Sequence, residues 1–259
     1  MSLVKKNLAK AVTNTVISSS KNVLKSNDKK PVIIGFDPEK AGTDKTVILN
    51  KGERTQIMKD FDMYGIGMDS DLAQLKQFSS IEDKDQYKSE ALTNNEYLKY
   101  VDDYIACGAN HPNIVLAWVF IWLVDLKRWS KALELLPLMV EQKQPLPTRF
   151  NTKHWGIFIA DQLYTEGAIQ LEKGLKSIQN SNIIKPFYLL IGLADKGNWD
   201  LGEIVGGKVH AMAGKLEHVR FNYGNALHHY IAATKINDKA GVKKAARDIA
   251  KTLNIEIDL

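Results

Sequence analysis

Cutting a phosphodiester with a divalent ion needs two or more carboxylates converging on one metal with near-octahedral oxygen ligation. In this 259-residue chain the candidates are Asp37 with Asp44, and the neighbours Asp102 and Asp103. Adjacent residues on a helix point about a quarter-turn or more apart, so Asp102 and Asp103 read as a solvated face rather than a shared site. Among the histidines, His228 and His229 are adjacent, while His210 and His218 stand eight apart with no carboxylate at metal-site spacing. They read as surface or interhelix polar contacts. No serine or cysteine nucleophile constellation is legible. The one cysteine, Cys107, excludes an internal disulfide and a cysteine-based zinc site, and suits a reducing compartment. We therefore expect no resident cofactor and no metal. Mg²⁺ enters only if Asp37 and Asp44 serve a nuclease.

The cations suggest a second chemistry, the gripping of phosphates. Near the end of the chain Val242, Ala245, Ala246, Ile249 and Leu253 fall on one helical face, and Lys243, Arg247 and Lys251 line up on another at four-residue steps. Lys239 and Lys244 stand close by. Such a ridge is either a solvated face or a set of phosphate contacts, which position a duplex without reading its bases. At the other end, Val4, Leu8, Val12 and Val16 define a short amphipathic helix carrying Lys5, Lys6 and Lys10. Residues 18–30, with Lys21 and Lys25, are Ser, Asn and Lys with few apolar anchors and read as a mobile basic linker. A formal net charge of +5 agrees with an acidic partner such as nucleic acid.

The elements that must position these residues are mostly helical. Residues 114–126 hold one charge, Asp125, over about two-thirds of the length needed to cross a bilayer, so we read a buried helix. A second apolar helix follows the LysArgTrpSer turn, and the two make a hairpin within 113–143. Residues 31–49 give the only convincing β signal, two β-branched runs split by Asp, Pro and Gly turn chemistry. The stretch GFDPEKAGTDKTVI resembles the first strand pair of ribonuclease-H-like nucleases, and that resemblance would make Asp37 a metal ligand. The further carboxylate-bearing strands of that fold are missing. Residues 51–70 lack a stable period and read as a connection. Helical patterns take over from Asp71, with Leu72, Leu75 and Phe78, then 87–98 and 100–106; after the ProLeuPro loop at 145–147, a firm stop, they resume with Trp155, Ile159 and Leu163 and over 185–193, 205–219, 223–236 and 240–253. We expect an all-α fold, a helical bundle of helix hairpins. A basic segment over 1–30 and a β-hairpin with its connection over 31–70 precede a helical domain over 71–259. A helix-turn-helix is conceivable only around 71–98. Neither a secretion signal nor a membrane span is legible.

Two stretches share a weak tetratricopeptide-like pattern. In the second, Gly214, Ala226, Tyr230 and Ala233 occupy its small and aromatic positions; in the first, Ala132 and Leu136 fit while Phe120 and Met139 do not. Gly108, the apolar helix with Trp122 and Asp125, then Ala132, Leu133 and Pro147, and later Ala226, Leu227, Ala233, Thr234 and AlaGlyValLysLys at 240–244, form an ordered series. This series resembles the small terminase subunit of peduovirus-like tailed phages, also labelled terminase endonuclease subunit. It covers roughly 71–253, and departs from the family where His111, Pro112 and Asn113 replace a Gln-Asp pair. The resemblance implies a protein of the host cytoplasm that binds double-stranded phage DNA, forms a homo-oligomeric ring, and delivers a packaging site to the large terminase subunit. The alternatives are a subunit that itself cuts, and a tetratricopeptide-like protein adaptor.

Overall fold

The computed structural model describes residues 51–150 and 154–259. The expected N-terminal helix, basic linker and 31–49 hairpin, with Lys5, Lys6, Lys10, Lys21, Lys25, Asp37 and Asp44, lie outside them. Every regular element among the described residues is an α-helix. They divide between two compact units, Met1–Lys127 and Arg128–Leu259. The hairpin expected over 113–143 straddles that division, so its two helices belong to different units.

The first unit holds α1 (Lys51–Leu75), α2 (Ile81–Asn94), α3 (Tyr97–Ala106) and α4 (Ile114–Asp125). Residues 51–70, read from sequence as a connection, are helical and continuous with the segment after them. Tyr64, Met68 and Asp71 are all buried and recur at i, i+4 and i+7, a single helical face. The third of them is a carboxylate, which breaks the apolar pattern a reader looks for. Asp71 is held by neutral donors from elsewhere in the unit: the Tyr87 hydroxyl at 2.8 Å, the Asn95 amide at 2.7 Å and the Tyr97 hydroxyl at 2.7 Å. Burial, and then the hydrogen bond to Asp71, push both phenols above their usual range.

The apolar helix α4 is buried from Val115 through Val124 and packs against α1, α2 and α3. Its start is fixed by Asn113, whose side-chain oxygen accepts from the Leu116 amide at 3.0 Å while its side-chain NH₂ donates to the Tyr100 hydroxyl at 2.8 Å. His111 and Asn113, where the chain departs from the Gln-Asp pattern, thus have structural work of their own. The Tyr104 hydroxyl donates to the His111 carbonyl at 3.0 Å and accepts from its amide at 3.1 Å. At the other end of α4, Asp125 pairs with Lys88 at 2.9 Å, and Lys88 also reaches Asp85 at 3.0 Å. Burial opposes the Lys88 charge, but the two carboxylates outweigh it and raise its pKa.

The second unit holds α5 (Trp129–Glu141), α6 (Trp155–Lys173), α7 (Leu175–Ser181), α8 (Ile184–Gly197), α9 (Gly202–Val219), α10 (Tyr223–Ile236) and α11 (Lys243–Leu253). The pair α9 and α10 is its tightest seam. A Cβ on Gly214 of α9 would sit 2.5 Å from a Tyr230 ring carbon and 3.2 Å from the Ala226 carbonyl oxygen of α10. Only glycine lets the two backbones approach so closely around an aromatic ring. Gly214→Ala should therefore destabilise the fold by about 1–3 kcal/mol, through overpacking, and lower the thermal midpoint; an unchanged midpoint would contradict the packing. The ordered small and aromatic positions 214, 226, 230 and 233 meet at this seam, where Ala226, Tyr230 and Ala233 join a core cluster with Val242, Ala246, Ile249 and Ala250.

Candidate nucleic-acid interface

The closing helix α11 is fixed by its apolar side. Val242, Ala246, Ile249 and Ala250 are buried against Ala211 of α9 and against Leu227, Tyr230 and Ala233 of α10. This anchored face leaves Lys244, Arg247 and Lys251 exposed. Glycine opens the turn before the helix: Gly241 has φ +74°, in the left-handed region that other residues avoid. On that turn the Lys239 amide donates to the Asn237 side-chain oxygen at 2.9 Å and the Lys239 side chain is exposed.

The ridge expected from sequence is present with one change. Lys243 is half-buried and its ammonium is tied to Asp238, because the turn brings that carboxylate back over the first turn of α11. The exposed cations are thus Lys239, Lys244, Arg247 and Lys251. Structure adds one that the linear pattern missed. Lys208 of α9 and Lys239 line a single depression of about 560 Å³, together with Tyr164 of α6, and the Lys208 ammonium stands 5.8 Å from the Tyr164 ring centroid. Lys208 lies on α9, far from α11 in sequence, so no periodicity in α11 could have disclosed it.

The other sequence candidates separate. Asp103 is exposed and paired with Lys99, so the adjacent Asp102 and Asp103 do not form a common site. Among the described residues no group of three or more His, Cys, Asp or Glu side chains stands together as a metal site. Cys107 is half-buried and its thiol donates to the Tyr104 carbonyl at 3.3 Å. No described helix is long and apolar enough to cross a membrane.

Three of the histidines bridge helices. His210 Nδ1 of α9 lies 3.1 Å from His229 Nδ1 of α10, and His218 Nδ1 lies 3.3 Å from the Tyr230 hydroxyl. His229 is buried, and burial first, then His210 and His228, bring its pKa down to about 4 from 6.5. Burial also lowers His210, opposed in part by Asp195 and assisted by His228. A folded-state pKa below the unfolded one means that the unfolded chain takes up protons first. The stability these groups permit is whole above the unfolded value near 6.5 and is lost as pH falls toward 4. Urea midpoints should drop across that window, and His229→Gln should flatten the drop; an unaltered profile would contradict the assignment.

Comparisons with known proteins agree on one family. The model described as phage small terminase subunit matches residues 66–181, which include α2 through α7 and end short of the basic ridge. A protein of Haemophilus phage HP1 (strain HP1c1), named "Probable terminase, endonuclease subunit", is similar to this chain, 25% identical over 208 residues. The similarity covers 75% of this chain and 71% of that protein. No solved structure matches the chain with significance. The buried helix α4, its Asn113 cap and the Asp71 node thus all fall inside the segment that is similar to phage small terminase subunits.

Proposed function

We propose that this chain is the DNA-recognition and adaptor subunit of a phage packaging motor, acting in the host cytoplasm. It binds duplex phage DNA through phosphates, assembles with further copies of itself, and passes the bound site to a large terminase subunit that carries the ATPase and the cutting chemistry. The family match supports the packaging role. The observation that carries the DNA contact is the set of exposed cations, Lys239 on the turn and Lys244, Arg247 and Lys251 on the helix after it, whose opposite face is locked into the core.

Salt dependence tests this. Each phosphate neutralised adds about −0.9 to the slope of log K against log salt, so four ridge cations contribute roughly −3.6 per chain. Sedimentation of the same sample, alone and with duplex, reads the assembly. A steep slope with an oligomeric species supports the proposal; a monomer whose DNA binding ignores salt overturns it.

A second reading, that the chain itself cuts, draws on the name of the HP1 relative, which includes "endonuclease subunit". Asp37 with Asp44 would then hold Mg²⁺. Magnesium-dependent nicking by the purified chain, abolished in Asp37→Ala, would favour this reading, and full activity in that variant would dismiss the assigned residue.

A further inference from the structure

The first unit carries a cavity of opposite charge. About 340 Å³ in volume, it opens between α1 and α3, with Tyr64, Tyr100 and Tyr104 for walls and Asp60, Glu96 and Asp103 around them. Lys99 also lines it and is paired with Asp103, so the lining as a whole holds three carboxylates and one ammonium. An anion is repelled here. A divalent metal is not accommodated either, because among the described residues no three such groups stand together as a metal site.

The aromatic walls differ in one respect. The Tyr100 hydroxyl accepts from the Asn113 side chain, and the Tyr104 hydroxyl is engaged by the His111 backbone. Tyr64 is only 6% exposed and its ring lies 4.5 Å from that of Tyr100 between centroids, yet its hydroxyl makes no hydrogen bond among the described residues. The hydroxyl is therefore left to the cavity that Tyr64 lines. Burial, followed by Glu96, Asp60 and Asp103, pushes the Tyr64 pKa up to about 12, so at neutral pH the hydroxyl is uncharged and sits within the field of all three carboxylates. Glu96 approaches the cavity from the start of α3 with φ 59°, a conformation few non-glycine residues adopt.

We propose that this cavity receives the guanidinium of an arginine side chain presented by a segment of a partner protein. Charge complementarity favours a cation, and the volume suits one side chain rather than a folded element. Tyrosine faces and carboxylates together fit the planar fork better than a compact, strongly hydrated ammonium: the guanidinium stacks on rings and bonds carboxylates in pairs. The Tyr64 hydroxyl, free to rotate, completes the acceptor set.

The test is an NMR titration of the full chain with acetyl-Gly-Arg-Gly-amide and with its citrulline and lysine counterparts, following the tyrosine ring signals. The arginine peptide should saturate. Loss of a charged hydrogen-bond partner should weaken binding about tenfold or more, for the citrulline peptide and equally for the Glu96→Gln, Asp103→Asn double variant; the lysine peptide should bind several-fold more weakly. Tyr64→Phe, which removes only the hydroxyl, should weaken the arginine peptide while leaving thermal unfolding and the salt slope of DNA binding unchanged. Equal binding of the citrulline peptide, undiminished binding in the double variant, or no saturable binding at all would overturn the assignment.

Discussion

Replacing Lys244, Arg247 and Lys251 together by glutamine should lower affinity for duplex DNA by about two to three orders of magnitude near 0.1 M salt, and reduce the salt slope by roughly 2.7. The reasoning is counterion release: three phosphates left unneutralised keep their condensed ions, and the entropic gain on binding is lost. All three side chains are exposed, so the fold should survive intact, which circular dichroism verifies. Fluorescence anisotropy across a salt series gives the slope directly. A matched control, Lys173, Lys185 and Lys196 to glutamine, removes the same charge from exposed positions elsewhere in the second unit. It should cost far less. If the two triple variants lose affinity equally, net charge rather than the α11 ridge sets the binding.

The second large effect is on stability. Asp71→Ala should cost roughly 3–5 kcal/mol in urea unfolding, because it strips the acceptor from buried donors that have no water to turn to. Tyr97 is fully buried and Asn95 nearly so, and both bond the same carboxylate oxygen. Tyr87→Phe, which removes one donor and leaves the carboxylate two others, should cost about 1 kcal/mol. A loss below about 1 kcal/mol for Asp71→Ala would mean that the node is not a structural keystone of the first unit.

These two sites were unequally legible in the sequence. The α11 ridge could be read because a helix with an apolar stripe and cations four apart declares both faces at once, and the buried Ala246 and Ile249 confirm the stripe. Helix α4 declared itself by an unbroken apolar run, and the all-helical character of the described residues follows from the 3.6-residue patterns of the rest. What was missed has physical causes. Helix α1 was hidden because its inward face reads Tyr64, Met68, Asp71, and a carboxylate in a core seam looks like a loop until its three donors are seen. The short helix α7 lies beyond Gly174, whose φ of +85° ends α6, and seven residues are too few for a period to register. Lys243 reads as a free cation in the linear pattern because its partner Asp238 sits across a turn, not on the helix. The acidic cavity assembles Asp60, Glu96 and Asp103 from separate stretches of two helices, so no linear motif marks it.

We propose that α11 and the turn before it hold the DNA. Lysine acetylation footprinting with mass spectrometry, with and without saturating duplex at low salt, addresses this most directly. Lys239, Lys244 and Lys251 should become protected on binding while Lys173, Lys185 and Lys196 remain reactive. Protection elsewhere with Lys244 and Lys251 still fully acetylated would contradict it.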